Sequence, residues 1–191
     1  MRNGCLATAI VVFQVLGYVA ASSADADVLA AGARFPDWTM QDQSGVPRSA
    51  ADFAGKPYLL WFYPRASTPG CTAEGRGFRD AYAELQGEGL AILGVSFDAP
   101  ERNAEFAHEE EFPFALLSDT SKSLAIAVGA ADSASQGVAR RVSYLVGPDG
   151  VVWVAYASVD PRDHAAQVLS DVRARRAAPV QPQGGQSKVV D

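Results

Sequence analysis

The stretch that decides the fold is YLLWFYPRASTPGC, residues 58–71. Residues 58–63 are all apolar or aromatic, which is typical of a strand buried on both faces of a sheet. Thr68 and Pro69 suit the N-cap and the first position of a following helix, so we expect Cys71 near its third position. Unpaired N–H groups and the helix dipole favour a thiolate there, since such sites lower a cysteine pKa from roughly 8.5 to about 3.5–7.5. The stretch therefore predicts a nucleophilic thiol directly after a buried strand.

The residues after Cys71 indicate how exposed the thiol is. Most buried cysteines are inert small hydrophobes. Here Phe78, Tyr82 and Leu85 form one apolar face of the predicted helix, and Cys71 and Gly75 continue the same stripe. We therefore expect Cys71 where the buried face meets the loop, as a partly sheltered thiolate.

The rest of the chain alternates strands with helices. Gly147-Pro148-Asp149-Gly150 is a strong hairpin turn between two apolar runs. We predict a hairpin region at 38–46, strands at 58–63, 90–97, 115–118, 142–146 and 151–156, and helices from 69, at 100–110, at 121–128 and from 161. This order predicts a layered α/β domain with a mixed central sheet and helices on both faces.

The N-terminal segment, residues 1–26, is typical of a secretory signal. Arg2 gives a positive start, residues 6–20 an apolar core, and residues 24–26 a small-residue cleavage site, with cleavage after Ala24 as an alternative. Cys5 precedes the apolar core, unlike a lipoprotein anchor. An uncleaved anchor is the other interpretation, although the stretch is shorter than the ~20 residues that span a bilayer. We predict export to a bacterial periplasm, with no membrane association after cleavage.

Composition assigns the remainder to one domain and a tail. Residues 27–176 suit a single domain, and residues 177–191, rich in Pro, Gly and Gln without aromatics, predict a disordered tail. The net charge of -6 argues against nucleic-acid binding, which needs a basic surface. His108 and His164 lack partners at metal spacing, so we expect both on the surface and no metal or other cofactor. Glu74 is expected to complement the helix dipole, with a contribution to the hydrogen bonding of the thiol pocket as the alternative.

The cysteine motif resembles the active site of the peroxiredoxins, and specifically the bacterioferritin comigratory protein (Q-type) subfamily. The similarity lies in WFYP at 61–64 and TPGCT at 68–72, followed by GFRD at 77–80. Three further segments resemble the family in the same order: ARFPDW at 33–38, LLSD at 116–119 and RVSYLV at 141–146. The resemblance thus covers most of the predicted domain and implies its thioredoxin-like, three-layer fold.

The resemblance implies a thiol-dependent peroxidase for hydrogen peroxide and organic hydroperoxides, in which Cys71 attacks the peroxide and becomes a sulfenic acid. The family pattern makes Thr68 the hydroxyl that orients peroxide and sulfur, Arg141 the fixed cation, and Pro64 the shield against water. Backbone N–H groups of Gly70 and Cys71 complete the substrate pocket. Such preorganised donors stabilise charge that moves from sulfur to the leaving oxygen.

Each of these residues also has a purely structural interpretation. Thr68 suits an N-cap, Pro64 a strand end, and Arg141 a solvated charge at the start of a strand. The spacing of all three residues relative to Cys71 favours the functional interpretation over the structural one. Arg141 is preferred to Arg140 because the residues after it keep the strand register of the family.

The chain departs from the subfamily at Arg76, where many members carry a resolving cysteine five residues after the first. The sequence has two cysteines, and Cys5 lies in the predicted signal. The resemblance therefore implies a one-cysteine variant, a monomer or weak dimer, reduced by a thioredoxin-like protein or a small-molecule thiol. Arg76 is expected to face solvent, with a contribution to the thiolate as the alternative.

Gly75 and Gly77 weaken the helix, so we expect its first turns to open for a partner.

Two other functions stay open at this point. A thiol-disulfide oxidoreductase generally needs Cys-x-x-Cys, and the residue three after Cys71 is Glu74. A catalytically idle thioredoxin-like binding module is suggested only by the missing resolving cysteine.

Overall fold

A seven-stranded mixed sheet forms the centre of residues 28–177, the part of the chain that the computed structural model describes. The strands are β1 (Thr39–Asp42), β2 (Pro47–Ser49), β3 (Tyr58–Phe62), β4 (Ala91–Ser96), β5 (Ala115–Ser118), β6 (Val142–Val146) and β7 (Val152–Tyr156). Their order is β2-β1-β5-β4-β3-β6-β7. The neighbours β3, β4 and β5 run parallel, and the other pairs are antiparallel. The predicted α/β class with a mixed sheet is confirmed.

Helices cover both faces of this sheet. They are α1 (Pro69–Asp80), α2 (Tyr82–Gly87), α3 (Pro100–Glu109), α4 (Ser123–Ala127) and α5 (His164–Ala177), with a short 3-10 helix at Ala50–Phe53. Every side chain of strand β3 is buried, because helices cover the sheet on both sides of this strand. Its odd positions, Leu59 and Trp61, join the core under α1, α2, α3 and α5, whereas Leu60 and Phe62 join the core under α4. The fully apolar run thus reflects burial on two faces.

Two helix boundaries differ from the expectation by three residues or more, whereas those of α3 and α4 differ by two residues or fewer. The helix that begins at Pro69 does not continue to Leu85, because it breaks at Ala81, whose amide is shared between the carbonyls of Gly77 and Arg79. The last helix begins at His164 and not at 161, since Asp160 first accepts bonds from residues 163 and 164 in a turn.

The turn at 147–150 is confirmed as the β6–β7 hairpin. The amide of Gly147 donates to the Val151 carbonyl at 2.8 Å, and Gly150 has a φ of 78°, which glycine adopts without steric cost. None of the helices within 28–177 is long and apolar enough to cross a bilayer. The predicted signal at 1–26 and residues 178–191 of the predicted tail lie outside the described residues.

Candidate active site

The loop between β3 and α1 is held against the end of β4. The Ala66 amide donates to Asp98 Oδ2 at 2.9 Å, and Ser67 takes a left-handed conformation with φ 56°. Thr68 occupies the N-cap position, as predicted, but its hydroxyl donates to the Arg65 carbonyl at 3.0 Å and does not cap the helix. The amides of the first turn of α1 are therefore not capped by the Thr68 side chain. The Thr68 hydroxyl oxygen can still accept a hydrogen bond, because only its hydrogen is used in the bond to Arg65.

Cys71 lies at the third position of α1, where the sequence predicts it. It is completely buried, not partly sheltered as expected. The reason is packing, because Cys71 belongs to the core cluster that contains Trp61, Tyr63 and Phe78. Any reaction at the sulfur therefore takes place in a site from which bulk water is excluded.

Arg141 reaches the sulfur from the neighbouring strand. Phe62 pairs with Val142 in the antiparallel β3–β6 ladder, so Arg141 lies beside the loop that leads to Cys71. Its Nη2 donates to Cys71 Sγ at 3.4 Å. A Cβ on Gly70 would lie 3.2 Å from the same nitrogen, so glycine there leaves room for the guanidinium.

The adjacent Arg140 points elsewhere. Its guanidinium pairs with Asp132 and donates to the Gly129 carbonyl. The structure thus brings Arg141, and not Arg140, to the cysteine.

Glu74 and His164 differ from their predicted roles. Glu74 does not complement the helix dipole at the surface, because its side chain is fully buried; it accepts from Arg141 Nη1 through Oε2, in agreement with the alternative prediction of a hydrogen bond in the pocket. His164 was expected on the surface, but it is also fully buried, with Nδ1 2.7 Å from Glu74 Oε1. Both corrections follow from the packing of α5 on α1, which encloses the face of α1 that carries Cys71.

This arrangement determines the charge of Arg141. Burial alone would lower its pKa, but the Glu74 carboxylate and the Cys71 sulfur act in the opposite direction and raise it overall. A permanent positive charge therefore lies in contact with the sulfur.

A buried polar network on the other side of Cys71 was not predicted. The Tyr63 hydroxyl donates to Asn103 Oδ1 at 2.7 Å, and the Asn103 amide donates to Ser118 Oγ at 3.1 Å. Burial raises the pKa of Tyr63, with Ser96 hydrogen bonding as a smaller opposing effect. The network connects β3, α3 and β5, so it fixes the strand end from which the cysteine loop leaves. Asn103, a polar residue within the predicted helix at 100–110, was a sequence signal for it.

Pro64 is half-buried at the start of the same loop. Together with Arg65, Phe97 and Asp98 it lines an open cavity of about 540 Å³. A second, smaller cavity of about 230 Å³ is lined by Pro69 and Gly70 and by residues 160–162. Two recesses thus flank the segment that carries Cys71.

Arg76 lies on the outer surface of α1. Its side chain is 56% exposed and pairs with Glu110 at 2.6 Å, as the solvent-facing prediction requires. Among residues 28–177, no cluster of three or more His, Cys, Asp or Glu side chains is arranged to hold a metal ion.

The chain resembles known proteins over most of the described residues. Residues 31–155 match the AhpC/TSA family. The putative peroxiredoxin bcp of Haemophilus influenzae is 34% identical over 151 residues, which are 76% of this chain and 97% of the relative.

Two solved structures have the same fold. The peroxidoxin BcpB of Mycobacterium tuberculosis superposes with a TM-score of 0.71 at 30% identity, covering 75% of this chain and 96% of that one. The bacterioferritin comigratory protein of Xanthomonas campestris, whose structure is described in terms of its alkyl peroxide reduction activity, gives 0.68 at 30% identity, with coverage of 72% and 91%.

Proposed function

Because the chain belongs to the AhpC/TSA family and is a thiol-dependent peroxidase of the peroxiredoxin type, we propose that Cys71 is its peroxidatic residue and that an external thiol regenerates it. The observation that carries this assignment is the 3.4 Å contact between Arg141 Nη2 and Cys71 Sγ in the first turn of α1. The finer proposals below concern residue roles, the reductant and the compartment.

The oxidative step uses Cys71 in the first turn of α1 and Arg141 directly before β6. The Cys71 thiolate attacks one peroxide oxygen, an S–O bond forms, and the O–O bond breaks. Sulfur is oxidised by two electrons to the sulfenic acid, and the leaving oxygen takes a proton to become water or an alcohol. Arg141 stabilises the negative charge that moves from sulfur to that oxygen.

The other predicted residues surround the same point. The amides of Gly70 and Cys71 lie at the N-terminal end of α1, where helix N–H groups bind anionic atoms. Thr68 keeps an acceptor oxygen for the distal peroxide proton, because its hydroxyl hydrogen is used by Arg65. Pro64 adds an apolar wall without an N–H group.

Regeneration uses two thiol groups, supplied by two small-molecule thiols or by one protein with a dithiol. The first condenses with the sulfenic acid to a mixed disulfide and releases water, and the second releases the Cys71 thiol and the oxidised thiol pair. Cys71 is the only cysteine within 28–177, so an internal disulfide is not available there. A thioredoxin-like protein or a small-molecule thiol is the proposed donor. Since Cys71 is fully buried, α1 must open at its first turns for either to reach the sulfur.

The test is rapid-mixing oxidation of the reduced protein by hydrogen peroxide and by an organic hydroperoxide, followed by mass spectrometry of Cys71. Cys71→Ser abolishes the reaction, and Arg141→Ala slows it about 100-fold, as loss of one preorganised donor does elsewhere. Arg140→Ala is the matched control and leaves the rate near that of the wild type, because Arg140 pairs with Asp132. Equal effects of the two arginine substitutions would overturn the assignment of Arg141.

The compartment and assembly are proposed as a periplasmic monomer or weak dimer. The signal-like residues 1–26 support export. Val46, at 46% exposure, is the only large hydrophobic side chain within 28–177 that is well exposed to solvent, and this supports a protein without a large apolar interface. Cell fractionation with N-terminal sequencing, and sedimentation of the mature protein, test these two points. Cytoplasmic full-length protein or a stable larger oligomer would contradict them.

A further inference from the structure

A chain of hydrogen bonds leads from α5 to the sulfur. His164 Nδ1 lies 2.7 Å from Glu74 Oε1, Glu74 Oε2 accepts from Arg141 Nη1, and Arg141 Nη2 donates to Cys71 Sγ at 3.4 Å. Each of the two carboxylate oxygens therefore has its own donor. The proposed function uses Arg141 and Cys71 but gives no role to His164.

We propose that His164 is a positioning residue for peroxide reduction: it fixes the Glu74 carboxylate, which in turn holds the Arg141 guanidinium against the Cys71 sulfur. This inference rests on the proposed roles of Cys71 and Arg141.

The chemistry of the three groups sets the direction of each bond. An ionised carboxylate only accepts hydrogen bonds, so His164 Nδ1 carries the hydrogen that points to Glu74. Within the described residues, Nε2 of the same ring is buried without a hydrogen-bond partner. A bare nitrogen lone pair there is less costly than a buried, unpaired N–H group. The hydrogen-bond pattern therefore fits a ring hydrogen on Nδ1 that points to Glu74.

Packing holds this ring in one orientation. Phe78 and Tyr156 each meet it edge to face, with ring centroids 5.1 Å away, and the Tyr156 hydroxyl is itself bonded to Asp171 at 2.7 Å. The charged or titratable groups that face His164 are thus Glu74 from α1 and Tyr156 from β7. Since the ring cannot turn without moving two aromatic side chains, Nδ1 stays directed at Glu74.

Arg141 needs the support of Glu74 and His164 because its own side chain is partly exposed. Its side chain is 22% exposed, whereas those of Glu74 and His164 are fully buried. An arginine side chain at the edge of solvent can adopt several rotamers. A carboxylate that is itself free to rotate would not hold the arginine in one of them. A carboxylate with both oxygens engaged presents a fixed edge, and the guanidinium contact with sulfur becomes reproducible.

The test uses His164→Asn and His164→Gln, because the asparagine amide reaches the place of Nδ1 whereas the glutamine amide reaches the place of Nε2. We measure peroxide oxidation of Cys71, its alkylation by iodoacetamide, and the ultraviolet absorbance of the thiolate at neutral pH. We expect His164→Gln to lower both rate constants roughly tenfold and to reduce the thiolate signal, and His164→Asn to restore most of each.

Val168→Ala is the control for a merely structural effect. Val168 is fully buried one turn along α5 from His164, so its truncation loosens the same helix without touching Glu74. We expect normal rates and a normal thiolate signal from it despite a lower midpoint of unfolding. The inference is overturned if His164→Gln reacts like the wild type, if His164→Asn is no better than His164→Gln, or if Val168→Ala reproduces the loss. A wild-type protein without fast peroxide consumption would instead overturn the proposed function, and the alkylation measurement would still decide the role of His164.

Discussion

Two arginine–glutamate pairs hold helix α1, one on its buried face and one on its outer surface. Glu74 on the buried face pairs with Arg141, and the side chains are 0% and 22% exposed. Arg76 on the outer surface pairs with Glu110 and is 56% exposed. Both pairs are close contacts between opposite charges, but only the first also contacts the cysteine and a second buried side chain.

Burial, and not the presence of an ion pair, decides what a charge contributes in these two places. In the buried pair Glu74 cannot regain water if Arg141 is lost, and Arg141 can regain it only by leaving the cysteine, so removal of one partner is costly. In the outer pair solvent replaces the partner at once. Substitutions in the two pairs, and at sites of intermediate exposure, test whether burial is the deciding factor.

The largest effect is expected for Glu74→Gln. The substitution leaves Arg141 without its buried counter-charge, so we expect a loss of about 3 kcal/mol in the free energy of unfolding. The guanidinium then turns toward solvent, and the rate constant for Cys71 oxidation falls with it. Denaturant unfolding and rapid-mixing oxidation of the same preparation measure both effects. A stable variant with a normal rate would contradict the distinction between the two pairs.

The next effect concerns the glycines of α1. A Cβ on Gly75 would lie 2.4 Å from Phe112 Cζ, so Gly75→Ala overpacks the contact between α1 and the segment after α3 and costs about 1–3 kcal/mol. The measurement is thermal or denaturant unfolding.

Gly77→Ala is the matched control in the same helix. A Cβ there would meet only Ala165 Cβ at 3.6 Å, an ordinary contact, so we expect a gain of about 0.5–1 kcal/mol from helix propensity. Equal effects of the two substitutions would mean that helix propensity outweighs packing at this surface.

A third arginine pair, Arg48–Asp42, is intermediate in exposure, with side chains 44% and 5% exposed. Burial would raise the pKa of Asp42, but hydrogen bonds from Arg48 and from the amides of Val46 and Ser44 lower it overall from its ordinary value of 3.8. A carboxyl whose folded pKa is lowered stabilises the fold above the unfolded value, and this stability is lost as pH falls through the folded value.

We therefore expect Asp42→Asn to cost about 1–2 kcal/mol at neutral pH, and the difference from the wild type to shrink below pH 3.8. Denaturant unfolding across a pH series measures it. A difference that stays constant to the lowest pH would show that the ionised carboxylate is not the source.

The sequence predicted most of the fold because its signals are local. The apolar run that forms β3, the Thr68–Pro69 helix start and the turn at 147–150 each depend on neighbouring residues. The break of the first helix at Ala81 was missed, since no glycine or proline marks it.

The candidate site was only partly predictable. Glu74 lies three residues after Cys71, so a buried cysteine already required a buried glutamate on the same face of the helix. His164 is different, because its burial results from packing of α5 against α1, 90 residues away in sequence. No local pattern marks such a contact.

The smallest effect is expected for Arg76, and it tests the outer side of the comparison directly. Five residues after Cys71, its side chain points roughly 140° around the helix from the cysteine. Arg76→Gln removes the positive charge, and Arg76→Glu reverses it beside Glu110. We expect neither to change the rate of Cys71 oxidation, and only the second to lower stability measurably, with the loss reduced by added salt. Slower oxidation in Arg76→Glu at an unchanged fold would mean that the arginine in place of the resolving cysteine does act on the thiolate, and that exposure alone does not separate the two pairs.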